Sequence, residues 1–221
     1  MICCKHLMKR YSEHVCALSD VSIKIENGEY VSITGKSGSG KSTLLNIMGL
    51  IDIPTSGEIY LNGKDMNSTS EVKKAEIRNK EIGYIFQSFY LEGAYTVYKN
   101  VEMPLLIAGV NSKERKQRVI ECLDKVGMGH KIKELAKNLS GGEQQRISIA
   151  RALANHPNII LADEPCGNLD SENTQNIMCI LEELNKMGKT VVLVTHSMEE
   201  ANRAGRKIIM KDGTIVKDEK K

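Results

Sequence analysis

Apolar positions along the chain fall into distinct patterns, and each predicts a different element. From Val21 to Ile33 they mostly alternate with polar ones (Val21, Ile23, Ile25, then Tyr30, Val31, Ile33) about a turn at Asn27-Gly28, as half-covered strands do. Residues 58–62, Glu-Ile-Tyr-Leu-Asn, run into Asn62-Gly63, a two-residue hairpin signal. The runs IILAD (159–163) and TVVLVTH (190–196) are short and continuously apolar before their polar ends, which suits strands buried on both faces of a parallel sheet. Between these runs, Ile177, Ile180, Leu181, Leu184 and Met187 recur at helical spacing over 172–187, and Gly188 is a stop signal. Strand, helix, strand is the α/β pattern.

The middle of the chain differs. Residues 112–126 predict an amphipathic helix with Ser112 as its cap and Val119, Ile120, Leu123 and Val126 as its stripe. A second helix is expected from about Gly141 to Asn155, stopped before Pro157. Helix signals prevail from 84 to 160. The expectation is a single domain over 1–221. Its α/β core with a β subdomain (1–83 and 157–221) is interrupted by a mostly helical subdomain (84–156). The tail KDEKK (217–221) reads as frayed.

Composition narrows the chemistry. The 221 residues carry 31 basic and 28 acidic side chains, intermingled, with a net charge of +3. A nucleic-acid partner is not expected, because that usually needs a concentrated basic face. The six cysteines (Cys3, Cys4, Cys16, Cys122, Cys166, Cys179) show no zinc-ligand spacing and read as reduced thiols of a cytosolic protein. No run approaches the roughly 18 apolar residues of a membrane helix, so a chain soluble by itself is expected.

Residues 35–42, GKSGSGKS, fit G-x-x-x-x-G-K-[ST] between an apolar strand and the helix-compatible run Thr43–Leu50. Gly35, Gly38 and Gly40 let the backbone fold tightly, so that amides, those of Ser37 and Ser39 among them, converge on phosphate oxygens. The helix that follows adds its positive end. Lys41 brings a point charge for the β- and γ-phosphates, and Ser42 a hydroxyl for Mg²⁺. Asp163, at the end of an apolar strand, suits a magnesium water shell. Glu164 is placed to act as general base on a water. By themselves these two carboxylates could equally begin a loop; the phosphate loop upstream favours the catalytic role.

Residues 139–146 read LSGGEQQR. Ser140, Gly141 and Gly142 open a helix and so make a second anion site; standing alone, the string would by default be a simple Ser-capped helix. The longer string LSGGEQQRISIARALANHPNIILADEPCGNLD resembles the signature, Walker B and D-loop of ABC transporter ATPases, and the resemblance runs through essentially the whole chain. In chain order, Tyr11 matches the residue that stacks on adenine and 35–43 the Walker A loop. Gln87 matches the Q-loop, Ser140–Gly142 the signature, and Asp163 and Glu164 the Walker B pair. Asp170 matches the D-loop and His196 the switch histidine.

The resemblance implies a P-loop NTPase (RecA-like) α/β core, an antiparallel β subdomain and an inserted helical subdomain. It implies a homodimer that closes on two Mg-ATP, each nucleotide held by the Walker loops of one copy and Ser140–Gly142 of the other. Gln87 would sense the γ-phosphate or its magnesium, and His196 would help position water for Glu164. A separate integral membrane permease is the implied partner, with the chain peripheral on the cytoplasmic face of the membrane and never touching cargo. The stretch FQSFYLEGAYTVYKNVEMPL with CGNLD is similar to the branch containing macrolide and antimicrobial-peptide exporters, lipoprotein-release systems and the division-associated cassette. That likeness favours export; a non-transporting mechanical role or action on nucleic acid or the ribosome is the alternative. Cys166, where the branch usually has Thr, and LEGAYTVYKN after Gln87 depart from its pattern. Six of nine aromatics (Tyr84, Phe86, Phe89, Tyr90, Tyr95, Tyr98) lie within 84–98. They would form either a permease-docking groove or a small core of the helical segment.

Overall fold

The structure, a computed structural model, describes residues 1–221. The chain folds as two compact units, 1–75 with 184–221, and 76–183. In chain order the elements are β1 (Ile2–Ser12), β2 (Val15–Ile25), β3 (Tyr30–Thr34), α1 (Lys41–Met48), β4 (Ser56–Leu61), β5 (Lys64–Asp65), α2 (Glu71–Glu81) and β6 (Ile82–Ile85). There follow α3 (Val97–Ile107), α4 (Ser112–Lys125), α5 (Gly141–Leu153), β7 (Ile159–Asp163), α6 (Ser171–Lys186), β8 (Thr190–Val194), α7 (Met198–Ala201), β9 (Arg206–Lys211) and β10 (Thr214–Lys220). Short 3₁₀ turns span 129–131 and 136–138.

The first unit holds two sets of strands. One is the antiparallel sheet β2-β1-β4-β5. In β2, buried Leu18, Val21, Ile23 and Ile25 give the alternation expected of a strand with one wet face. Strand β1 hides the same pattern, because its register with β2 shifts between Cys4 and Leu7 and His6 takes a left-handed φ of 50°. That bulge turns the buried residues Ile2, Cys4 and Leu7 out of strict alternation, and the sequence pattern missed the strand. In the other set, β3 lies between β8 and β9, parallel to both, and β10 pairs antiparallel with β9. All five residues of β3 and of β8 are buried; this accounts for the continuous apolar run of β8, while β3 buries Ser32 and Thr34 with their hydroxyls donating to the carbonyls of Ala201 and Ile208. The turn at Asn27-Gly28 separates β2 from β3, which pair with other strands and not with each other.

The structure departs from the sequence pattern at the C-terminal tail and at the start of α4. The tail is ordered strand rather than frayed end. Arg206 grips Asp218 through two bonds of 2.7 Å, and the Lys220 ammonium lies 2.5 Å from Glu29. Cross-strand charge pairs replace the apolar face that the tail lacks. The cap of α4 is Asn111, whose side chain accepts from the Glu114 N–H at 3.1 Å; Ser112 is the first helical residue.

In the second unit β6 and β7 pair in parallel, and α5 packs on α3, α4 and β6. Ile147, Ile149, Ala150 and Leu153 of α5, Val97, Val101 and Leu105 of α3, and Val119 and Leu123 of α4 are buried. Gly83 of β6 is required by this packing, since a Cβ there would come within 2.7 Å of the Ala152 carbonyl oxygen on α5. Helix α5 begins where the pattern places it and stops at Leu153, ahead of His156 at a left-handed φ of 54°.

Candidate functional site

In the first unit, the phosphate loop leaves the carboxyl end of β3 and ends in α1. Gly35, Gly38 and Gly40 have φ of 155°, 77° and 96°. At Gly40 a Cβ would strike the Ala17 carbonyl and come within 2.9 Å of Leu18, so this bend admits only glycine. Lys41 is buried, and its ammonium donates to the carbonyls of Gly35 (2.8 Å) and Lys36 (3.0 Å), which centres the charge inside the loop. Ser37 and Gly38 at the tip are exposed, as is Ser42 at the start of α1, while Ser39 is buried and Thr43 half-buried. The sheet sets the position: β8 runs parallel beside β3, with Val194 opposite Ile33. His196, two residues past β8, therefore leaves the same carboxyl edge as the loop. Its turn is pinned by Thr195, whose hydroxyl donates to Glu200 at 2.7 Å and accepts from the Ser197 N–H at 3.0 Å.

Tyr11, just over half exposed, belongs to a network on the same unit. Its hydroxyl donates to Asp52 Oδ2 at 2.8 Å, and Lys9 Nζ donates to Asp52 Oδ1 at 2.5 Å and to the Ile53 carbonyl at 2.7 Å. The same ammonium lies 4.9 Å from the Tyr11 ring centroid. Partial burial raises the Asp52 pKa, but bonds from Lys9 and Tyr11 outweigh it and hold the carboxyl below its usual range.

In the second unit, Gln87 and the acidic pair leave neighbouring strand ends, since Ile85 of β6 pairs with Ala162 of β7. Asp163 and Glu164 are half-buried. Glu164 stands at a φ of 45°, left-handed backbone that glutamate adopts at a cost of about 1–3 kcal/mol. The turn it opens is closed by Gly167 N–H donating to its carbonyl at 3.1 Å. The Gln87 amide lies against Gly167, 3.0 Å from where a Cβ would stand. Burial, and then the charge of Asp163, push the Tyr84 phenol far up, so Tyr84 stays neutral.

The Ser140–Gly142 segment opens α5 with a reciprocal capping box. The Ser140 hydroxyl accepts from Glu143 N–H, and the Glu143 carboxylate accepts from Ser140 N–H at 2.9 Å. Ser140 and Gly141 are exposed, while Gly142 is buried against Asn173 of α6. Asp170 caps α6, accepting from the N–H and the side-chain amide of Asn173 at 2.8 Å each, and Arg146 donates to Asn173 Oδ1 at 3.1 Å. Asn173 thus ties Asp170 to the Ser-Gly-Gly helix. Pattern reasoning missed both Asn173 and Gln145; the second stands inside LSGGEQQR and is wholly buried, a fate unusual enough for glutamine to mark a role.

The aromatic cluster divides. Tyr84 stacks on Phe86 with centroids 4.2 Å apart, and Tyr90 meets Phe86 edge-on at 5.0 Å. Tyr84 also lines a groove of 240 Å³ with Arg78, Ile82, Met103, Pro104 and Ile107. Tyr95 and Tyr98 lie outside it, Tyr98 donating to Glu102 at 3.3 Å.

A glycine-rich loop running into a helix, an acidic pair at a strand end and an exposed Ser-Gly-Gly helix start stand in one chain, and a family profile described as ABC transporter matches residues 18–167. The chain belongs to the ABC transporter family. It is an ATP-binding and ATP-hydrolysing cassette with the P-loop NTPase fold of that family. An uncharacterized ABC transporter ATP-binding protein of Methanocaldococcus jannaschii, MJ1508, is 45% identical over 219 residues, 98% of each chain. The lipoprotein-releasing system ATP-binding protein LolD of Aquifex aeolicus is 47% identical over 199 residues, 90% of this chain and 89% of that one. Among solved structures, the dimeric bacterial ABC transporter cassette MJ0796 superposes with a TM-score of 0.93 at 43% identity, covering 100% of this chain and 98% of that one. A dimeric post-hydrolysis state of the same cassette, bound to ADP and Pi, gives 0.92 at 42% identity, with the same coverage. No helix of this cassette is long and apolar enough to cross a membrane.

Proposed function

We propose that two copies of this cassette close on two ATP molecules and drive a separate membrane permease of the export type. The observation that carries this is the start of α5: a thirteen-residue helix opening on exposed Ser140 and Gly141, in a chain whose own phosphate loop already serves one nucleotide. Each γ-phosphate is then held by Lys41 and the amides of 35–43 in one copy and by Ser140–Gly142 of the other. Glu164 takes the proton of the attacking water, His196 holds that water and the γ-phosphate, and Gln87 reads the phosphate's presence. Asp170 meets the partner copy beside the second nucleotide, and Tyr11 stacks on adenine.

The donors Ser42, Asp163 and Gln87 are hard oxygen ligands, the chemistry that magnesium prefers. No cluster of three His, Cys, Asp or Glu that could hold a metal is present; Ser42, Asp163 and Gln87 would hold the ion together with the nucleotide's phosphate oxygens. When bound, Mg²⁺ neutralises charge that builds on the phosphate oxygens.

The helical stretch 84–156 acts as the arm that reports closure to the permease, which docks along the groove beside Tyr84. The exported cargo is of peptide, antibiotic or lipoprotein type, the likeness to the lipoprotein-releasing LolD supporting the last of these, and the cassette sits peripherally on the membrane's cytoplasmic face. The test is Glu164→Gln. ATP still binds, turnover falls by roughly 10²–10⁴-fold, and sizing chromatography with ATP shows a dimer; Lys41→Ala abolishes tight binding and the dimer with it. A Glu164→Gln protein that stays monomeric at saturating ATP overturns the proposal.

A further inference from the structure

Gln145 sits on the second turn of α5 with no solvent exposure. Its Nε2 donates to two carbonyls that belong to different motifs: Pro165 O at 2.7 Å, directly after Glu164, and Phe86 O at 3.2 Å, directly before Gln87. Its Oε1 is buried with no hydrogen-bond partner, so packing alone does not justify an amide at this position. One turn and a half further along the same helix, Arg151 donates to Phe89 O at 2.9 Å and to the carbonyl of Tyr90, a residue at a left-handed φ of 47°. Helix α5 therefore grips the segment 86–90 at two points and the turn after Glu164 at a third, while its first turn presents Ser140–Gly142.

We infer that Gln145 is a positioning residue that links three stations: the residue sensing the γ-phosphate, the backbone carrying the general base, and the helix start offered to the partner copy. Any shift of Gln87 or of the 164–167 turn is carried to α5 through a single amide, because both carbonyls bind the same nitrogen. The cassette thereby offers Ser140–Gly142 in the closing orientation only when both acceptors are in place. This rests on the ATP-sandwich proposal above.

Gln145→Glu is nearly isosteric and replaces the double donor by an acceptor facing two carbonyls; Gln145→Met keeps the length and removes the donor. Both are made in the Glu164→Gln background and titrated with ATP by sizing chromatography, with nucleotide affinity of the monomer and the melting midpoint measured alongside. The expected result is an ATP requirement for dimer formation raised by about tenfold or more, the worth of one to two buried hydrogen bonds. Monomer affinity should be unchanged, since Lys41 and its loop are untouched. Should Gln145→Glu fail to fold, Gln145→Met decides. If a folded variant dimerises at the same ATP concentration as Glu164→Gln alone, the inference is overturned. If Glu164→Gln alone gives no dimer, the sandwich fails instead, and the two failures are told apart.

Discussion

Replacing Gly142 by alanine should damage the cassette through one identifiable collision. A Cβ built on Gly142 stands 2.8 Å from Asn173 Nδ2 and closer still to Oδ1 and Cγ, where ordinary contact begins near 3.4 Å. The Asn173 amide cannot stay. Moving it gives up the Arg146 bond at 3.1 Å and frees Asp170 from one of its two ties. Overpacking of this kind costs about 1–3 kcal/mol, and the Arg146 bond is worth about 1 kcal/mol more. At about 2–4 °C per kcal/mol for a chain of this size, the melting midpoint should fall by roughly 4–16 °C. Removing the obstacle should restore most of this: in Asn173→Ala, the further change Gly142→Ala should lower the midpoint by less than half as much. Differential scanning calorimetry on the four proteins of the cycle measures it. Equal effects of Gly142→Ala with and without Asn173 would refute the collision as the cause, and glycine would then be required only for approach to phosphate.

Other outcomes follow from the same geometry. The Ser140 N–H, bonding its carboxylate, holds the Glu143 pKa below its usual value. The capping-box stabilisation is therefore full above the ordinary glutamate pKa of about 4.3 and is lost as pH falls through the lower folded value. Melting curves should show a gap between native protein and Glu143→Gln at neutral pH that closes on acidification, and a pH-independent gap contradicts it. Asp52→Ala should free the Tyr11 ring and raise the KM for ATP about two- to tenfold with kcat unchanged; steady-state ATPase kinetics decide, and a fall in kcat alone counts against the anchor. Asp218→Ala should leave the unfolding free energy within about 1 kcal/mol of native yet open the β10 tail to protease, which a time course of limited digestion would detect; an unchanged course removes the Arg206–Asp218 pair as its tether.

Local chemistry was legible from residues alone wherever one short segment carries its whole meaning. The phosphate loop needs glycines at set places because its backbone must bend around an anion, and GKSGSGKS states this within eight letters. Buried parallel strands announce themselves as continuous apolar runs, so β7 and β8 were found within a residue or two. Amphipathic α4 and α6 were likewise found, their stripes being a property of their own sequence. What failed were features whose partners lie far away in the chain. Strand β1 breaks its alternation at His6, and β10 has almost no apolar residues. Both are strands because β2, β4 and β9 supply hydrogen bonds and Arg206 and Glu29 supply charge. Gln145 and Asn173 are unremarkable letters in a polar stretch. Only the fold carries Phe86 and Pro165 to the first and Gly142 to the second, because a side chain's meaning there is set by non-local carbonyls and backbone that no sequence period encodes.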